Sequence, residues 1–94
     1  MSEVDVEPRL VVTKQQYSQL HVFASSGQVK AANNILESCS LNEINKQDNN
    51  GNTPLIWAAM EGHDDIVQLL VDYRAEINLQ NFAGETALLV AASR

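Results

Sequence analysis

The sequence predicts an all-α stack of short helix-turn-helix repeats, and three observations carry that prediction. The first is compositional: hydrophobic residues make up 45% of the chain but aromatics only 5%, so Ala, Leu, Val and Ile must build the core. Small aliphatic side chains suit closely packed helices better than a β-sandwich, whose strands favour β-branched and aromatic residues. The second is an internal repeat. Gly51 and Gly84 stand 33 positions apart, and the same offset carries Thr53 to Thr86, Leu55 to Leu88 and Ala58-Ala59 to Ala91-Ala92. Ile44-Asn45-x-Gln47 returns at that offset as Ile77-Asn78-x-Gln80. The third is a fixed succession of turn, cap and apolar stripe inside each unit.

Asp48 to Asn52 (DNNGN) and Asn81 to Glu85 (NFAGE) read as turns, because Gly supplies positive φ and Asn tolerates it. Thr53-Pro54 reads as a helix start: Thr caps, and Pro fits the first helical position, where no N–H bond is lost. Leu55, Ala58 and Ala59 then place one apolar face at helical spacing, with alanines small enough for close helix approach. Gly62-His63 breaks the helix. Asp64-Asp65 put negative charge in the first turn of a second helix, where the helix dipole favours it. Ile66, Val67, Leu69 and Leu70 form the apolar stripe of that helix.

The run Asp48-x-x-Gly51-x-Thr53-Pro54-Leu55-x-x-Ala58-Ala59-x-x-Gly62-His63-x-x-Ile66-Val67-x-Leu69-Leu70, continued by Ala75-Glu76-Ile77-Asn78, resembles the ankyrin repeat almost position by position. The resemblance is strong from Asp48 to Arg94. Before Asp48 it is weaker: Ser18-Gln19-Leu20-His21-x-x-Ala24-x-x-Gly27 looks like the same helix start, and Ala31-Ala32 and Ile35-Leu36 stand where the second helix carries its stripe. Asn34 replaces the apolar Leu69 of the middle unit, and the loop from Ser38 to Glu43 is longer than its counterpart. Polar substitutions and irregular length suit a terminal unit whose outer face meets water. The layout is an acidic, flexible tail (1–13) followed by a repeat domain (14–94). That domain divides into an N-terminal capping repeat (14–47), a regular repeat (48–80) and a partial repeat (81–94), about two and a half repeats in all. The resemblance implies turns that project as β-turn fingers, with antiparallel helix pairs behind them.

Two positions and the C-terminal end depart from the family pattern. Arg74 stands at the end of the second helix where the family has Gly, in a left-handed cap that Gly fits without steric cost. The substitution should cost about 1 kcal/mol. Ala87 replaces Pro54 in the last unit. Leu88, Leu89 and Val90 lie on a helix whose partner helix is missing from the sequence, so the C-terminal end is expected to be uncovered. That end would suit a longer array or self-association.

Six Lys and Arg against twelve Asp and Glu give a net charge of −6. Phosphate neutralisation needs clustered basic residues, whereas Arg9, Lys14, Lys30, Lys46, Arg74 and Arg94 are scattered singly. Nucleic acid and membrane are therefore not expected as partners. Complementary charge points instead to another protein with a basic or neutral surface. One cysteine, Cys39, cannot form an intramolecular disulfide, and the acidic start MSEVDVEPRLVV does not read as a signal peptide. An intracellular address, cytoplasmic or nuclear, is the expectation.

Little in the chain points to catalysis, a cofactor or a metal. His21 and His63 fall at family positions where imidazole bonds backbone between turns and helices, and Cys39 has no basic neighbours in sequence to lower its pKa. No CxxC, HExxH or spaced Cys/His set is present, and DNNGN lacks the alternating ligands and closing Glu of a calcium loop. The chain therefore reads as a protein-interaction module and not as an enzyme. The alternative is a structural cap or spacer of a longer signalling or regulatory protein whose activity lies elsewhere.

In ankyrin arrays the finger tips and first helices line a concave groove. Carried over by position, the resemblance assigns partner binding to Asn49, Asn50, Asn52, Trp57, Met60 and Glu61 in the middle unit. In the last unit it assigns Phe82, Ala83 and Glu85, and in the first, Ser25 and Ser26. Phe82 and Met60 are the sharpest of these, because interface cores favour aromatics and Met. The competing expectations are a Phe82 that folds back onto the neighbouring finger and a Trp57 half-buried between helices. Glu61, Glu85 and Asp48 would make the groove rim acidic. Asn78, preceded by Glu76-Ile77 and with Leu70 eight residues earlier, resembles the asparagine that intracellular asparaginyl hydroxylases modify.

Overall fold

Six helices succeed one another in residues 19–94, the part of the chain that the computed structural model describes. They are α1 (Gln19–Ser26), α2 (Val29–Leu36), α3 (Leu41–Ile44), α4 (Pro54–Met60), α5 (Asp64–Asp72) and α6 (Ala87–Ala92). No strand occurs among the described residues. The expected tail (1–13) and the Ser18 helix start lie outside them.

Local chemistry accounts for most of the boundaries. The Thr53 hydroxyl accepts from the Ile56 amide at 3.2 Å and caps α4, with Pro54 in the first turn. Thr86 does the same for Leu89 and α6, at 3.2 Å. α4 ends at Gly62, whose φ of 74° is left-handed. There the Gly62 amide donates to the Ala59 carbonyl and the His63 amide to that of Ala58. This paired 5→2 and 6→1 bonding is the Schellman cap.

The second helix of the same unit ends identically on a residue ill-suited to it. Arg74 adopts φ 70°, the one positive φ outside glycine among the described residues. Its amide donates to the Val71 carbonyl and that of Ala75 to the Leu70 carbonyl. The left-handed region brings Cβ against the following carbonyl, so Arg74→Gly is expected to stabilise the fold by about 1 kcal/mol. Urea unfolding of the two chains checks this, and an unchanged midpoint would mean that the cap is unstrained.

The helix α3 is absent from the expectations, which treat Ser38 to Glu43 as a loop. It is built on a capping box: the Glu43 amide donates to the Ser40 hydroxyl at 3.3 Å, and the Ser40 amide donates to Glu43 Oε1 at 3.0 Å. Ser40-x-x-Glu43 is the local signature of that device, but four residues are too few to show helical periodicity.

The helices form two layers. First helices α1, α4 and α6 lie side by side, and α2 and α5 pack behind them and against each other. The layers meet through Leu20, Ala24, Ala32, Leu36, Leu55, Ile56, Ala58, Ile66 and Leu70, all buried. Alanines at the contacts (Ala24, Ala32 and Ala58, each 0% exposed) allow the close approach that the composition implied. Asn34 of the first unit is exposed.

Candidate functional site

The two fingers are built by one scheme repeated at the 33-residue offset. In the first, Asp48 Oδ1 accepts from the amides of Asn50 and Asn52, both at 2.9 Å, and the Asp48 amide donates to the Asn52 carbonyl. In the second, Asn81 Oδ1 accepts from Ala83 at 3.0 Å and Glu85 at 2.9 Å, and the Asn81 amide donates to the Glu85 carbonyl. Each turn closes through Gly51 or Gly84, at φ 79° and 82°. A carboxylate or amide that folds back onto the amides two and four residues on is the reason Asp and Asn stand at these positions.

The fingers are bonded to each other. The Phe82 amide donates to the Asn50 carbonyl at 3.0 Å, and Asn81 Nδ2 to Asn52 Oδ1 at 2.9 Å. Gln47 Nε2 donates to the carbonyls of both Gly51 and Gln80. The Phe82 ring lies over Gly51, so close that a Cβ there would come within 2.6 Å of it. Phe82 thus folds back onto the neighbouring finger, yet it remains 75% exposed.

Of the residues assigned to partner binding, Asn49, Asn50, Glu61, Phe82 and Ala83 are exposed, and Trp57, Met60 and Glu85 are half-buried. Trp57 joins helix to finger: its indole Nε1 donates to Asp48 Oδ2 at 2.7 Å. Two assignments change. Asn52 is buried, with its amide oxygen held by Asn81, so it ties finger to finger and is no surface contact. Asp48 is 3% exposed and bonded on both oxygens, so the rim acidity rests on Glu61 and on Glu85, which itself accepts from Asn81 Nδ2. Ser25 and Ser26 turn their hydroxyls onto the Val22 carbonyl. Asn78 is exposed, and its amide donates to the Glu76 carboxylate.

Both histidines bond backbone, as their positions implied. His21 Nε2 lies 2.9 Å from the Asn52 carbonyl and His63 Nε2 3.2 Å from that of Ser25. A carbonyl only accepts, so Nε2 carries the proton in each. Each histidine thereby couples adjacent units. Burial lowers the pKa of His21 below its usual 6.5, against the opposing pull of the Asn52 carbonyl and the Asp48 charge. Folding therefore favours neutral His21, and its contribution is complete above pH 6.5 and lost as pH falls through the depressed folded value. Urea midpoints compared at about pH 7.5 and about pH 5.5 should fall toward acid in the wild type and fall less in His21→Gln. Equal slopes for both chains would remove His21 as the cause. Burial, with the Glu43 charge behind it, raises the Cys39 thiol, which keeps it protonated and a poor nucleophile.

A second surface lies at the C-terminal end. Leu55 and Ala59 of α4, Val67 and Val71 of α5, Ile77, and Leu88 and Ala91 of α6 line an open apolar groove of about 290 Å³. Leu88 is 78% and Leu89 53% exposed on α6. Among the described residues no group of three or more His, Cys, Asp and Glu could hold a metal ion. No helix among them is long and apolar enough to cross a membrane.

The comparisons with known proteins agree with this geometry. The family model for ankyrin repeats (3 copies) matches residues 20–94. A probable E3 ubiquitin-protein ligase of Oryza sativa subsp. japonica, XBOS32, is 52% identical over 40 residues, 43% of this chain and 8% of that protein. The NAD-capped RNA hydrolase NUDT12 of Macaca fascicularis is 33% identical over 91 residues, 97% of this chain and 19% of the hydrolase. A putative ankyrin repeat protein of Rickettsia bellii is 28% identical over 76 residues, 77% of this chain and 45% of its length. The chain thus spans less than a tenth of the plant ligase and less than half of the bacterial protein. With helix pairs, fingers and caps repeating in one register and the family model covering residues 20–94, the chain belongs to the ankyrin repeat family.

Proposed function

We propose that this chain binds a partner protein through the face formed by its finger tips and first helices. Ankyrin repeats generally mediate protein–protein interaction, and their typical domain is non-catalytic. The observation that carries the reading is Phe82: a large apolar ring, three-quarters exposed, held in place by its own backbone bond to Asn50 and by contact with Gly51. A preordered aromatic loses little entropy on binding and makes an anchor. Met60 and Trp57 supply further apolar surface on α4, and Asn49, Asn50 and Ala83 offer polar and backbone contacts. Glu61 and Glu85 bias the surface toward a basic partner, inside the cell.

The comparisons support a binding role over a catalytic one. The plant protein and the primate protein are named for unlike activities, a ubiquitin ligase and an RNA hydrolase, and this chain matches only 8% and 19% of them. A scaffold shared across unlike activities serves recognition more readily than chemistry.

Affinity capture from cell extract tests the proposal, with the wild type set against a Met60→Arg/Phe82→Ala double variant whose circular dichroism matches. A partner retained by the wild type should be held about tenfold or more weakly by the variant. Equal capture by both chains would sink the face as the working surface.

A further inference from the structure

We propose that Asn50-Gly51, in the first finger, is a self-modifying site: the opened finger converts Asn50 to isoaspartate, and the closed finger prevents it. Asn50 is the one asparagine of nine that glycine follows. Deamidation needs the main-chain nitrogen of the next residue to reach the side-chain carbonyl carbon, and glycine brings no Cβ to crowd that approach. The Gly51 nitrogen gives up its proton and attacks Asn50 Cγ. A C–N bond forms, and the side-chain nitrogen of Asn50 leaves as ammonia. Water then opens the five-membered imide. Cleavage at one carbonyl leaves an ordinary aspartate, and cleavage at the other leaves isoaspartate, with the main chain rerouted through Cβ and Cγ.

Asn50 is exposed, so water and ammonia have access to it. What the closed finger withholds is the nitrogen. To swing toward Cγ, the Asn50–Gly51 peptide must rotate, and it is bonded at both ends. The Gly51 amide donates to the Asp48 carbonyl at 2.9 Å, and the Asn50 carbonyl accepts from the Phe82 amide at 3.0 Å. The Asn50 amide is fixed as well, on Asp48 Oδ1 at 2.9 Å, and the Phe82 ring lies over Gly51. The rate therefore follows the fraction of time for which the finger is open. Once formed, isoaspartate keeps the finger open. The carbonyl that accepted from Phe82 leaves the main chain as a carboxylate, the turn gains one main-chain atom, and a chain at net charge −6 becomes more acidic. The seat of Phe82 is then lost. Asn50 lies on the face proposed above for partner binding, but its chemistry does not rest on that reading and is read without a partner.

The test ages the chain in mildly alkaline buffer, folded and in urea, and locates the modified asparagines by peptide mass mapping. In urea Asn50 should deamidate faster than every other asparagine, and at least about tenfold faster than in the folded chain. Phe82→Ala removes the ring over Gly51 at a position that is 75% exposed, so the core stays intact. In that folded variant Asn50 should deamidate at least about threefold faster than in the wild type, at a matched urea midpoint. The added negative charge lets ion exchange isolate the isoaspartate form. Its Phe82 amide should exchange with deuterium at least about tenfold faster than in the unmodified chain, while the amides inside α5 exchange as before. The proposal is overturned if Asn50 deamidates as fast folded as in urea, if another asparagine leads in urea, or if Phe82→Ala leaves the rate unchanged. It is also overturned if the isoaspartate form protects the Phe82 amide as well as the parent chain does.

Discussion

Asp48→Ala is expected to destabilise the chain by about 3 kcal/mol, because it strands three donors, one of them buried and the others partly so. The lost carboxylate serves the Asn50 and Asn52 amides and the Trp57 indole. Asn52 is 6% exposed, so its amide has little access to replacement water. Asp48→Asn should cost only about 1 kcal/mol, since Oδ1 still accepts both amides and only the Trp57 bond is lost. The last unit makes the same point naturally: Asn81 stands in the place of Asp48, and Val90, in the place of Trp57, needs no acceptor. A double-mutant cycle with Trp57→Phe checks the assignment. In the Trp57→Phe background Asp48→Asn should become nearly neutral, within about 0.5 kcal/mol. If Asp48→Asn costs as much as Asp48→Ala in either background, the hydrogen bonds are not what holds the finger.

Leu55→Ala is expected to cost about 3 kcal/mol, whereas Leu88→Ala, at the equivalent position one repeat later, should change stability by less than about 0.5 kcal/mol. Leu55 is 2% exposed, covered by α5 and by the neighbouring first helices. Leu88 is 78% exposed. Removing the same atoms opens a cavity at the first site and sheds solvated surface at the second. Urea denaturation of both variants reads the difference directly. Comparable losses would mean that Leu88 is covered in solution, which would itself point to an occupant of the end groove.

The fingers show how far local chemistry reaches. Both fingers, the Thr53 and Thr86 caps and the Gly62 break are all legible in the sequence. Each depends on groups within about five positions of one another, so residue type and spacing suffice to specify them. α3 is equally local but reads as a loop, because its Ser40–Glu43 box sits in a segment too short to carry an apolar stripe. The backbone bonding of the two histidines followed from the family resemblance and not from any local rule.

Burial was the part that residue types misreported. Asp48 and Asn52 look like exposed turn residues, and they are buried because the next finger lies against theirs, through bonds between residues 29 to 33 positions apart. Phe82 could have been either a tip ring or a folded-back one, and only the space above Gly51 makes it both.

The repeat, its register, its turns and its threonine caps are thus legible from residue type and spacing, since side chains acting on their own backbone set them. Which equivalent residues are core and which are surface follows only from the packing of the helices. Leu55 and Leu88 share a repeat position and differ in whether a helix among the described residues lies across them. A side chain's exposure depends on what its neighbours in space cover, and that information is not contained in the unit that carries it.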